Sequence, residues 1–244
     1  MEYAELLVAA KRNPAAANFT ALRLACAQSP EYAPYAIEYV HAKTWASLQK
    51  ALSDDNIRTG NVQAAITPIH RMLATCYLDV QLHVTAATVY KMLADETQSI
   101  FHYTFAAGLL DSIFRSGDAR SYETAFTVID VREEYAVLRA LDVELTRQTL
   151  VGHNDHWFDV LEVHNPQTGK PAAVKLYFNI DFLNDWQAQN PDWLFNGSLM
   201  ERYRLSVKNS GGRKRRKKDF DRWPPRLQEG VGGQTFYVPR VSPS

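Results

Sequence analysis

Residues 61–117 read NVQAAITPIHRMLATCYLDVQLHVTAATVYKMLADETQSIFHYTFAAGLLDSIFRSG, and this stretch decides the fold. Ala65, Ile69, Met72, Leu73 and Cys76 recur at three- and four-residue steps, the apolar stripe of an amphipathic helix. Leu82, Ala86, Val89, Tyr90 and Leu93 predict a second helix; Ile100, Tyr103, Ala106, Ala107, Leu110 and Ile113 predict a third. At an offset of 34 residues, Ala65 falls on Ser99, Ile69 on Tyr103 and Met72 on Ala106. That is the period of a tetratricopeptide (TPR) hairpin, with small residues where helices cross and Tyr90 near the usual tyrosine. The fit is partial: Ala86-Ala87 replace the Leu-Gly pair, and Tyr77 stands where the closing proline belongs. Units of such an array do not bury their own apolar faces, so the pattern asks for helices on either side.

The flanking segments supply them. Residues 3–12 predict a short helix ended by Asn13-Pro14, and Asn18 is placed to cap a second over ALRLACAQ. Pro30 and Pro34 bound a turn, 35–52 is expected as one long helix, and Asp54, Asp55 and Asn56 as a loop. Gly117 is expected to close the third core helix in the left-handed C′ conformation. Beyond it the period changes. AFTVID (125–130) alternates like a strand, 131–141 returns to helical spacing, and 143–152 alternates again. HWFDVLEVH (156–164) and PAAVKLYFNID (171–181) flank NPQTGK, a hairpin turn. In the last strand Val174, Leu176, Phe178 and Ile180 should face the core, with Lys175, Tyr177, Asn179 and Asp181 opposite. Residues 182–189 suggest one more helix. The expected fold is α+β: a TPR-like all-helical array at 1–118, a small antiparallel sheet with one or two helices at 119–195, and a basic tail at 196–244.

A chain of 244 residues holds one large or two modest domains, and 46% hydrophobic with 22% charged residues is an ordinary globular composition. No apolar run approaches the ~20 residues that span a bilayer. The opening MEYAELLVAAKRN has Glu2 and Glu5 where a signal peptide has lysine, so the cytoplasm is the expected location and no membrane partner is expected. Cys26 and Cys76 lie on apolar helix faces and read as buried free thiols. The net charge of zero divides unevenly: residues 199–244 carry 12 Lys+Arg against 4 Asp+Glu, and residues 1–198 carry 15 against 23.

The order YAELLVAAK, NFTALRLA, the TPR-like pair, GLLDSIFRSGD, TAFTVIDVREEYAVLRAL, FDVLEV and YFNID resembles an uncharacterised bacterial family, domain of unknown function 4919. The resemblance covers roughly residues 3–185. It implies the same α+β arrangement and supplies no catalytic residue or cofactor, while related proteins often carry an export signal. The tail after about Leu194 has no counterpart in it.

The densest polar cluster is GHNDHWFDVLEVH, with His153, Asp155, His156, Asp159 and His164. His156 and His164 lie roughly 26 Å apart along a strand, too far to share an ion. His153 and His156 in a turn have only Asp155 beside them, so no metal is expected. Asp159, between Trp157 and Leu161, needs a partner if buried, and Lys175, Tyr177, Asn179 and Asp181 of the adjacent strand are the candidates. Either a polar site forms there, with His153 or His156 as base, or the contact is a structural hydrogen bond. No GxSxG, Walker, dinucleotide or metalloprotease motif occurs. The six cations Arg213, Lys214, Arg215, Arg216, Lys217 and Lys218 favour a solvated chain able to contact nucleic acid.

Three functions follow as expectations. The first is a non-catalytic protein-interaction scaffold using a helical groove and the α+β unit, with Tyr35, Tyr39 and Trp45 as partner-binding candidates. The second is a hydrolase-like enzyme with Asp159, Asn179, Asp181, His153 and His156 on the 156–181 hairpin. The third is nucleic-acid contact through the basic tail. No cofactor is expected in any of them.

Overall fold

The computed structural model describes residues 2–164 and 174–190 and the backbone of 226–229 and 235–238; the side chains of Glu38 and Tyr39 lie outside that description. The chain divides into two compact units, Met1–Phe182 and Leu183–Ser244.

The first unit opens with α1 (Tyr3–Arg12), where Glu5 Oε2 accepts the Glu2 N–H at 3.3 Å. Asn18 Oδ1 then accepts the Ala21 N–H at 3.0 Å and starts α2 (Phe19–Ala27). The expected long helix over 35–52 is two helices, α3 (Ala36–Tyr39) and α4 (Ala42–Ala51). Both Val40 and His41 N–H groups reach back to the Ala36 carbonyl, and buried His41 turns inward to Thr75 Oγ1 at 2.5 Å. The inward histidine and the outward Val40 break the helical stripe. The expected loop at Asp54–Asn56 is α5 (Asp54–Thr59). Ser53 caps it, two aspartates favour its positive N-terminal end, and Gly60 (φ 73°) closes it in the left-handed region.

Three core helices follow where the periodicity places them: α6 (Ile66–Leu73), α7 (Val80–Met92) and α8 (Glu96–Phe114). The buried face of α8 is not the expected one: Ser99, His102, Phe105 and Leu109 turn inward while Ile100 and Tyr103 are 58% and 38% exposed. Asp79 and Asp95 cap the last two through the Leu82 and Gln98 N–H groups. Leu22, Leu48, Ile69, Met72, Leu82, Phe105, Leu109 and Ile113 form their buried core. Phe19 crosses α8 at Gly108, where a Cβ would stand 2.0 Å from the phenyl ring. Gly117 does not adopt the expected left-handed conformation. It is small because the Thr124 carbonyl would lie 2.2 Å from its Cβ; the left-handed residue is Ala119 (φ 57°). Cys26 and Cys76 are unpaired as expected, though half-buried.

The sheet has the order β1-β4-β3-β2, from β1 (Phe126–Thr127), β2 (Glu144–His153), β3 (His156–His164) and β4 (Val174–Asn179). It is mixed and not wholly antiparallel, because β1 pairs parallel to β4. β1 stops after two residues, since Ile129 and Asp130 start α9 (Val131–Ala140): Glu133 Oε2 accepts the Ile129 N–H and Asp130 Oδ1 that of Arg132. The alternation read in β4 buries Phe178 and Ile180 but leaves Val174 57% exposed. NPQTGK lies outside the described residues.

Helices and sheet share one interior across the expected 118/119 boundary. Arg23, 2% exposed, grips both Glu133 oxygens at 2.6 and 2.8 Å and also donates to the Thr127 carbonyl and to Ser112. Tyr32 donates to the Ile129 carbonyl at 2.6 Å. In the second unit, β5 (Arg226–Glu229) pairs antiparallel with β6 (Thr235–Val238), elements absent from the sequence reading; α10 (Asp181–Gln189) begins at the end of the first unit.

Candidate functional site

Asn154 and Asp155 both take positive φ (49° and 61°), the geometry of a two-residue type I′ turn. The turn sets His153 directly across from His156. From there β4 brings in Asn179 and the start of α10 brings in Asp181. His156 Nδ1 donates to Asp181 Oδ2 at 2.6 Å, and Asp181 Oδ1 accepts the Trp157 N–H at 2.8 Å. The Asn179 amide adds a bond to Asp181 Oδ2 at 2.9 Å, and its carbonyl accepts the Asp181 N–H. Partial burial pushes the Asp181 carboxyl up, but the donors from Trp157, Asn179 and His156 outweigh it and hold the group below the usual carboxylate range.

The His156 side chain is 59% exposed, and among the described residues its Nε2 takes no hydrogen bond. A histidine oriented by a carboxylate is the geometry of a general base. The adjoining depression of about 410 Å³ is shallow and lined by Gly152, His153, Asn154, Asp155, His156 and Trp157, with no serine, threonine or cysteine among them. His153 stacks on Tyr122 at 4.3 Å and accepts from the Asn154 amide through Nε2.

Four of the five hairpin candidates therefore gather at the turn, and Asp159 does not. In the β3–β4 register Asn179 stands opposite Phe158 while Asp159 stands opposite Phe178, so Asp159 and Asn179 project from opposite faces. The partners of Asp159 are not on β4, as the sequence suggested. They are Gln148 Nε2 on β2, at 2.7 Å, and the Glu134 carboxyl on α9.

Of the helical candidates, Trp45 and Tyr35 are engaged within the chain. The Arg132 guanidinium lies 4.9 Å over the Trp45 ring and pairs with Asp79; Tyr35 is half-buried. The Tyr39 side chain and the basic run Arg213 to Lys218 lie outside the described residues. Among the described residues no cluster of three or more His, Cys, Asp or Glu is arranged to hold a metal, and no helix is long and apolar enough to cross a membrane.

Two features escaped the sequence reading. One is a buried histidine pair, His83 and His102, their Nδ1 atoms 2.9 Å apart. The other is the outer edge of the sheet. The closing His153–His156 pair of a two-residue hairpin is hydrogen-bonded, and bonded pairs then alternate through Val151, Thr149 and Arg147. The backbone N–H and C=O groups of Gln148, Leu150 and Gly152 consequently point away from β3, and no described strand pairs with them. On the face these residues share with Trp157, Leu150 is 59% and Trp157 40% exposed.

The model of the family described as Domain of unknown function (DUF4919) matches residues 9–187. The chain belongs to this family. Comparison with curated proteins and with solved structures gives no match.

Proposed function

We propose that this DUF4919 protein is a non-catalytic interaction module that receives an extended segment of a partner protein along β2. The observation that carries the reading is the outer edge of β2, unpaired among the described residues, with exposed Leu150 and Trp157 beside it. Long bare edges are pairing templates that proteins usually blunt with charge, proline or a bulge. Here the bulge lies at one end only, between Leu145 and Arg147, and 148–152 (QTLVG) carries neither charge nor proline. A partner strand gains backbone hydrogen bonds there, and alternate apolar side chains fall beside Leu150 and Trp157.

The hydrolase-like reading keeps one supporting observation, the His156–Asp181 pair. Against it stand the shallow setting, a lining whose described residues include no serine, threonine or cysteine, and the placement of Asp159 on the far face.

Selection of displayed decapeptides on the full chain tests the binding reading. Peptides with alternating apolar residues should be enriched. Leu150→Pro, which removes an outward N–H and leaves the β2–β3 bonds intact, should weaken them about tenfold or more. Binding indifferent to Leu150→Pro but lost in His156→Ala would transfer the site to the turn.

A further inference from the structure

Glu134 projects from α9 into the sheet and has no exposed surface, while Asp159 of β3 is 7% exposed. Their carboxyl groups lie in hydrogen-bonding contact. Gln148 donates to Asp159 Oδ2, yet neither Glu134 oxygen meets a donor if both acids are ionised. An ionised carboxylate only accepts, so two in contact need a proton between them. Among the described residues no cation pairs with either group. α9 adds Asp130, Glu133 and Tyr135, β2 adds the neutral Gln148, and β4 adds the apolar Phe178. The arginines of the same interior are engaged elsewhere: Arg23 with Glu133, Arg132 with Asp79 and Arg139 with Gln81.

We propose that Glu134 and Asp159 share one proton and form a pH-sensitive latch that holds α9 against the sheet. With the proton present, the carboxylic acid donates to its carboxylate partner and the pair carries one negative charge. When the proton leaves to solvent, two adjacent buried anions remain with no described cation paired to either, and α9 loosens from β3. Burial raises both groups above the ordinary carboxylate range, Glu134 strongly. The folded chain thus holds protons that the unfolded chain releases above about pH 4, and the latch weakens as pH rises through the folded values. The latch stands whether or not β2 receives a partner.

The test uses the full chain with ¹³C-labelled Glu and Asp. The carboxyl carbons of Glu134 and Asp159 are followed by NMR from pH 4 to pH 10, with hydrogen exchange of the α9 amides alongside. One of the two carboxyls should remain protonated at pH 7. Its ionisation should coincide with at least tenfold faster exchange in α9, corrected for the intrinsic pH dependence, and unchanged exchange in α8. Glu134→Gln keeps a donor and cannot ionise, so it should remove the alkaline acceleration. Titration of both wild-type carbons near pH 4 would overturn the latch without any variant. So would an acceleration that persists in Glu134→Gln.

Discussion

His83 has no exposed surface, and its tautomer is set by geometry. Nε2 lies 2.8 Å from the Tyr77 carbonyl, which only accepts, so Nε2 carries the hydrogen. Nδ1 must then accept, and the His102 Nδ1–H donates to it. The imidazole also stacks on Phe105 at 4.4 Å. Burial first, then the His102 neighbour, lowers the His83 pKa to about 3; burial and His70 lower that of His102 to about 4. Both folded values lie below the unfolded ~6.5, so the unfolded chain binds more protons between them and stability falls as pH drops below about 6.5. The loss should be on the order of 3 kcal/mol per histidine at pH 4. Urea midpoints measured from pH 7 to pH 4 check this, and the His83→Leu/His102→Leu double variant should show a much flatter slope. Little of this was legible: two histidines nineteen positions apart on successive helices carry no signal until the helices pair. Burial of Asp159 was legible from its flanking Trp157 and Leu161. Its partners were not, because α9 and β2 reach it through tertiary packing.

At the scale of elements, caps and periods were good guides. Asn18 caps α2 as its place in the sequence suggested, and the alternating segments at 143–152 and 156–164 are strands; the caps Asp79 and Asp95 of α7 and α8 emerge only in the structure. The errors arose where a packing contact overrode a local pattern, as at His41, or where a complete set of caps around a short polar helix went unread, as at Ser53 and Gly60. Gly108 shows the same competition in reverse. On an exposed helix Gly→Ala would stabilise by about 1 kcal/mol. Here the new methyl meets the Phe19 ring at 2.0 Å, and Phe19 is itself buried against Phe105 at 4.9 Å. Gly108→Ala should therefore destabilise by roughly 1–3 kcal/mol in chemical denaturation. Adding Phe19→Leu should restore part of the loss.

For the first unit as a whole, Arg23 is the principal tie. It joins α2 to the Glu133 carboxylate, the Thr127 carbonyl and Ser112 of α8, and so makes helices and sheet one interior. Arg23→Met leaves the Glu133 charge buried and should cost about 3–5 kcal/mol. Removing both partners in Arg23→Met/Glu133→Leu should recover much of that loss. Denaturation followed by far-ultraviolet circular dichroism and tryptophan fluorescence checks both variants, and the two probes should lose signal together. The sequence by itself determined the secondary-structure type of most elements and the α+β class, because apolar period, capping residues and turn residues act over a few positions. Tertiary structure decided the parallel pairing of β1, the placement of Asp159 and Asn179 on opposite faces, and the buried Arg23–Glu133 and Glu134–Asp159 pairs. Each depends on which distant segments meet, and strand register and burial set that, not local pattern.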